Sequence, residues 1–168
     1  PEFSIGRMHG YHGNFLVALR ALAYMKLLGK QGLDNLGSYA VLNARYLASV
    51  LSKTLPLAYV KPCMHEFVAT VKELKKSHKI KAYDVGKALL DKGFHSPTIY
   101  FPLIIEEALM FEPTETQSVD TLDDLAETIS FIVQDLKENN QNLSNYPKNL
   151  PIGRPNELIP AKHLTVNW

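Results

Sequence analysis

The sequence predicts an α+β fold: a helical lead-in over residues 1–53, then a small α+β domain over 54–168 with a small mixed or antiparallel sheet, covering helices and an irregular tail. Three patterns predict it. Two stretches before residue 53 carry apolar residues at helical spacing on more than one face. Short apolar words of strand length alternate with helical words after Pro56, and residues 121–137 follow the i, i+3, i+4, i+7 rule without a miss. At 168 residues and 46% hydrophobic content, the chain can bury one good core, or one domain with a helical extension.

Gly13-Asn14 opens the first helix, whose Phe15, Leu16, Ala18, Leu19, Leu22, Ala23, Tyr24 and Leu27 cover most of the circumference; Gly29 ends it. A second helix carries Leu33, Leu36, Ala40, Ala44, Leu47 and Leu51, with Tyr39, Leu42, Tyr46 and Val50 on an adjoining stripe. Apolar surface this wide implies packing on the rest of the chain and also on partner surface. Non-native homodimer formation by the chain alone is therefore expected.

Leu57 to Val60 and Glu66 to Val71 read as strands, and the Lys-rich interval from Lys72 to Lys81 joins them to the next helix. That helix has Asp84 as its expected N-cap, Val85, Ala88 and Leu89 facing inward, and Gly93 where a left-handed C-terminal cap is needed. Thr98 to Phe101 and Ala108 to Phe111 read as strands, the first bounded by Pro97 and Pro102 and so placed at an edge. Glu112 and Glu115, around Pro113, shape a turn and cap the following helix, with Thr114 and Thr116 offering hydroxyls to backbone. Beyond residue 139, an Asn-rich run and Pro147, Pro151, Pro155 and Pro160 describe a tail with little regular structure.

Eighteen Lys and Arg against seventeen Asp and Glu leave a net charge of +1, so no electrostatic footprint for nucleic acid stands out. The one basic cluster, Lys72 to Lys81, reads as a solvated face. Cys63 is the single cysteine, which excludes an intrachain disulfide and any CxxC motif and makes a reducing compartment the default. The apolar run from Asn14 to Leu28 is interrupted by Arg20 and Lys26 and is shorter than the roughly 20 residues that span a bilayer, so no membrane segment is expected. No charged n-region and apolar h-region open the chain, so no secretory signal is expected either, and Pro1-Glu2-Phe3 reads as a cloning remnant on a truncated coding sequence.

The chemical motifs are sparse. His65-Glu66 does not form HExxH, the remaining histidines lack metal-ligand spacing, and there is no Gly-rich phosphate loop or GxSxG elbow. No metal is expected. Taken alone, His65 and His95 read as side chains that satisfy a neighbouring carbonyl.

Three longer words change the reading. Pro62-Cys63-Met64-His65-Glu66-Phe67-Val68, Gly93-Phe94-His95-Ser96-Pro97-Thr98-Ile99-Tyr100-Phe101-Pro102-Leu103 and Glu112-Pro113-Thr114-Glu115-Thr116 stand in order, with Ser4-Ile5-Gly6-Arg7, Gly13-Asn14-Phe15 and Ala40-Val41-Leu42-Asn43-Ala44-Arg45-Tyr46-Leu47 before them. As a set they resemble the C-terminal part of the glycine cleavage system P-protein family, the pyridoxal-phosphate-dependent glycine dehydrogenase (decarboxylating). Subunit 2 of the split bacterial form and the C-terminal half of the single-chain form share this pattern.

The resemblance implies the small C-terminal domain of a fold type I pyridoxal-phosphate enzyme, joined by a helical segment to a large cofactor domain. The family's Schiff-base lysine lies upstream in a His-Lys-Thr context that these residues lack. The resemblance thus implies a C-terminal fragment, inactive by itself and without covalently bound cofactor, whose parent releases carbon dioxide from glycine and passes the aminomethyl group to the lipoyl arm of H-protein. Expected partners are the remainder of the P-protein and H-protein. The expected location is the bacterial cytoplasm, or the mitochondrial matrix in a eukaryote.

Candidate substrate or lipoyl-channel residues are Arg7, His12 and Asn14 in the Gly-punctuated loop before the first helix, and His65, His95 and Thr98 in the later words. Arg7 offers a planar fork for a carboxylate or phosphate, or equally caps a helix end. Lys61 stands where an arginine is common in relatives, and His9 and His12 flank a position where relatives often have aromatic residues. Two rival readings remain at this level: an interaction module that docks through its apolar first helix without binding a ligand, and the small domain of another fold type I enzyme such as an aminotransferase or cysteine desulfurase. The Met-His-Glu-Phe and Pro-Thr-Glu-Thr words speak against the second.

Overall fold

The computed structural model describes residues 2–7, 13–139, 144–156 and 158–162. They fall into two compact units, residues up to Ser38 and residues from Tyr39 onward. The first unit holds most of helix α1 (Phe15–Leu51). Asn14 starts α1, its side-chain Oδ1 accepting the Val17 N–H at 3.3 Å and its backbone carbonyl accepting the Ala18 N–H at 3.1 Å. Gly29 sits inside α1 at φ 63°, ψ −174°, a conformation open essentially to glycine alone. The expected stop at Gly29 is therefore a kink, and the second helical stretch resumes at once without a linker.

In the second unit the chain continues as β1 (Phe67–Thr70), α2 (Lys72–His78), α3 (Ala82–Asp91), β2 (Thr98–Ile99), β3 (Ala108–Phe111), α4 (Val119–Glu138) and α5 (Leu158–Lys162). The strands form one antiparallel sheet in the order β1-β3-β2, with Phe67 opposite Phe111 and Thr98 opposite Met110. Its buried side chains, Phe67, Ala69, Leu109 and Phe111, share a core with Ala44, Leu47, Ala48 and Leu51 of α1, Val85, Ala88 and Leu89 of α3, and Leu122, Ala126, Ile129, Ile132, Val133 and Leu136 of α4. The α4 stripe is the periodic set read from sequence. The Phe67 and Phe111 rings stack with centroids 5.2 Å apart, fixing the β1–β3 register through side chains as well as backbone.

Several expectations are corrected. The strand over 57–60 shrinks to a bridge between Leu57 and Ala69, flanked by Ala58 N–H to Val68 O and Thr70 N–H to Pro56 O. The strand from Thr98 stops at Ile99, because Tyr100 turns to φ 59°, which no strand continues; β2 is nonetheless an edge strand as read. The Lys-rich joining interval is largely a helix, α2, ending at the left-handed Lys79.

Asp84 is not the N-cap of α3 but lies three residues inside it, its Oδ2 accepting the Lys81 N–H at 2.9 Å. The buried Glu107 carboxylate caps that end from outside, accepting the Ala82 N–H at 2.8 Å and pairing with Lys75 Nζ at 2.8 Å. Gly93 does close α3 as expected: it takes φ 84°, its N–H donates to Leu90 O, and the Phe94 N–H donates to Leu89 O. Ser118, rather than Glu112 or Glu115, caps α4, its Oγ accepting the Thr121 N–H. The tail is less irregular than expected. It contains α5, and Tyr146 is buried with its hydroxyl donating to Asp135 while Arg154 pairs with Asp84 at 2.7 Å.

Candidate functional site

Antiparallel pairing decides which words meet. β1 begins where β3 ends and β2 begins, so the residues just before Phe67, at Thr98 and just after Phe111 share one end of the sheet. His65 and Glu112 lie just beyond the β1–β3 ladder there, with His65 Nε2 3.7 Å from Glu112 Oε1, and both side chains are more than half exposed. His95 and Thr98 stand across the same end. A groove of about 360 Å³ opens at this end, with Leu47, Met110 and Leu122 among its apolar walls and His95, Thr98, Glu112, Thr114 and Gln117 among its polar ones; His65 stands beside it, against Glu112.

The walls and the loop beside them are held by identifiable bonds. His95 Nδ1 lies 2.8 Å from Ser96 O, so part of its polarity is spent on a neighbouring carbonyl, and Ser96 Oγ donates to Pro97 O at 3.0 Å. Gly86 of α3 lets this loop approach: a Cβ there would stand 2.7 Å from Ser96 Oγ. The opposite turn is held from α1, where Asn43 Nδ2 donates to Thr114 O at 2.9 Å and to Gln117 O at 3.1 Å. Arg45 Nε donates to Cys63 O at 2.8 Å, tying down the loop that carries His65. Tyr46 donates its hydroxyl to Asp123 Oδ1 at 2.7 Å, and that bond holds the phenol above its ordinary value.

The structure thus gathers His65, His95 and Thr98 at one sheet end. Asn14 caps α1 in the first unit, Arg7 is exposed there, and His12 lies outside the described residues. Sequence reasoning singles out neither Asn43 nor Arg45; the one signal is a polar amide and a guanidinium inside an otherwise apolar helical stretch. Among the described residues no group of three His, Cys, Asp or Glu could hold a metal ion, and no helix is long and apolar enough to cross a membrane.

The groove also sets limits on a cofactor. Pyridoxal phosphate needs a lysine amine for its aldehyde and cationic or N–H donors for its phosphate, and no lysine or arginine lines these walls. The groove does not fit that group as its holder.

Residues 37–152 match the family model described as glycine dehydrogenase, C-terminal domain. The chain belongs to this family. Among curated relatives, the probable glycine dehydrogenase (decarboxylating) subunit 2 of Treponema denticola is 48% identical over 98% of this chain and 34% of its own length. The corresponding protein of Thermotoga maritima is 42% identical over 100% of this chain and 35% of its own length. The chain therefore spans about a third of the length of the glycine dehydrogenase relatives it matches. A crystal structure of glycine decarboxylase (P-protein) of the glycine cleavage system, in inhibitor-bound form, matches 74% of this chain and 28% of its own, with a TM-score of 0.60 and 24% identity. That likeness establishes a shared fold.

Proposed function

We propose that this chain is the C-terminal small domain of a pyridoxal-phosphate-dependent glycine decarboxylase of fold type I. The intact enzyme would release carbon dioxide from glycine and hand the aminomethyl group to the lipoyl arm of H-protein. The observation that carries the reading is the family match over 37–152, extended by relatives that align with nearly the whole chain. The groove agrees with it: polar groups converge at one end of the sheet, as in a domain that lines a cleft shared with a neighbouring one.

In this reading the cofactor supplies the electron sink for decarboxylation, and the remainder of the enzyme holds it. This chain shapes a wall of the cleft. His65, His95 and Thr98 present ring nitrogens and a hydroxyl to substrate or lipoyl arm, and Arg7, His12 and Asn14 form the second candidate set in the segment before α1. The bacterial cytoplasm is the proposed location.

Glycine–bicarbonate exchange tests the proposal. The chain alone should show no exchange, and the chain joined to the rest of the enzyme, with pyridoxal phosphate and H-protein, should show it. His95→Ala should lower the assembled rate by about tenfold or more, the usual scale for a lost polar contact to a reacting group. An aldimine absorbance band that forms on the isolated chain and is fixed to one of its lysines by borohydride would overturn the assignment.

A further inference from the structure

One turn of α1 reaches both the groove and the loop beside it. Helix geometry of about 100° per residue centres the buried stripe of Ala44, Leu47, Ala48 and Leu51 on one face. Asn43 and Arg45 fall on opposite flanks of that stripe, each about a quarter-turn from its centre. From one flank Asn43 donates both amide protons to carbonyls of the turn after Glu112; from the other Arg45 donates to Cys63 O, two residues before His65. Tyr46, on the side of the helix away from that stripe, reaches Asp123 on α4, and Leu47 forms part of the floor.

We propose that Asn43 and Arg45 are the positioning residues of this sheet end, Asn43 for the turn 112–117 that walls the groove and Arg45 for the neighbouring loop 59–66, and that together they set the placement of His65 beside Glu112. The physical reason is stiffness. The segment 59–66 and the turn 112–117 lie outside regular structure and would sample many conformations if held by their own backbones alone. A helix whose neighbouring face is fully buried transmits the position of the core to both loops. Asn suits its place because two N–H donors on one planar nitrogen meet two converging carbonyls, which neither Asp nor Ser could satisfy. Arg suits its own because Nε, set back from the tip, bonds a carbonyl close to the helix. That the positioned groove serves decarboxylation rests on the function proposed above; the positioning itself does not.

Cys63 is the single cysteine, so its thiol reports natively on the loop Arg45 holds. In the full chain, Arg45→Ala should raise the rate of Cys63 modification by dithionitrobenzoate about fivefold, the factor one hydrogen bond is worth in a local opening equilibrium. Arg45→Lys, which keeps the charge but lacks Nε, should do the same if the alanine variant folds poorly. Asn43→Asp should shift the backbone amide resonances of 112–117 and the ring resonances of His65 while leaving Cys63 modification unchanged. Unchanged modification in both Arg45 variants, unchanged His65 resonances in Asn43→Asp, or modification rising equally in all variants along with a lowered melting temperature would overturn the positioning role. In the assembled enzyme, both positions should lower kcat/KM of glycine exchange mainly through kcat. A displaced groove with unaltered exchange would leave the positioning intact and remove the groove from the decarboxylase site.

Discussion

At the residue scale, Gly86 shows how a single missing methyl shapes the groove. It lies in the middle of α3, where alanine would ordinarily stabilise the helix by about 1 kcal/mol. Here the added Cβ would meet Ser96 Oγ at 2.7 Å and Ile99 Cγ2 at 3.4 Å, and overpacking of this kind costs about 1–3 kcal/mol. The clash outweighs the propensity. Gly86→Ala should lower stability by about 1 kcal/mol, and should turn neutral or stabilising in a Ser96→Ala background, where the nearest remaining contact is ordinary; urea melts of the four-member cycle check this. A stabilising single variant would show that the His95 loop is not pressed on α3. His95 is the other residue-scale lesson. Its bond to Ser96 O is the bland role the sequence allowed, and the same ring still borders the groove.

At the element scale, the connections between helices are made by side chains far apart in sequence. Glu107, on the β2–β3 connection, caps α3 and holds Lys75 of α2, and Glu106 beside it pairs with Lys72 and Lys75. The Lys75 hydrogen bond, more than any other interaction, holds the Glu106 carboxyl below its ordinary range. The acidic residues thus meet the basic run of α2 and tie it to the β2–β3 connection. The tail is tied in a similar way. Burial first, and then the hydrogen bond to Asp135 on α4, push the Tyr146 phenol up to about 12.

The sign of the pH dependence follows. Because the folded value lies above the roughly 10 of a free phenol, the contribution to stability is whole below that value and disappears as pH rises towards 12. Tyr146→Phe should therefore be less stable than wild type near neutrality but lose less stability between about pH 10 and 12. Denaturant melts across that range measure the difference, and parallel curves for the two proteins would refute it.

At the scale of the whole molecule, the second unit builds its own core, while the first unit leaves apolar side chains of α1 in water. Phe15 is 74% exposed, Leu16 67% and Leu27 82%. A patch of this kind seeks cover. We expect the chain to self-associate with rising concentration in light scattering, and Phe15→Glu with Leu27→Glu to return it to monomer without changing the stability of the second unit. A concentration-independent monomer would show that this surface needs no partner. In the function proposed above, the remainder of the enzyme covers it in place of a second copy.

The sequence by itself determined the α+β class, the α4 stripe, the Gly93 cap, the edge position of β2 and the family, because each is written in local spacing or in contiguous words. It also marked His65, His95 and Thr98. Only the tertiary structure decided that these three share one end of a sheet, since that depends on the antiparallel register of Phe67 with Phe111 and Thr98 with Met110. It likewise decided that Glu107 rather than Asp84 caps α3 from outside, that Asn43 bonds the turn walling the groove, and that Arg45 bonds the loop carrying His65. The physical reason is common to all of these. A carbonyl or amide left open by local structure is satisfied by whichever side chain the fold delivers, and the partners here lie 71 residues away for Asn43 and 25 for Ala82.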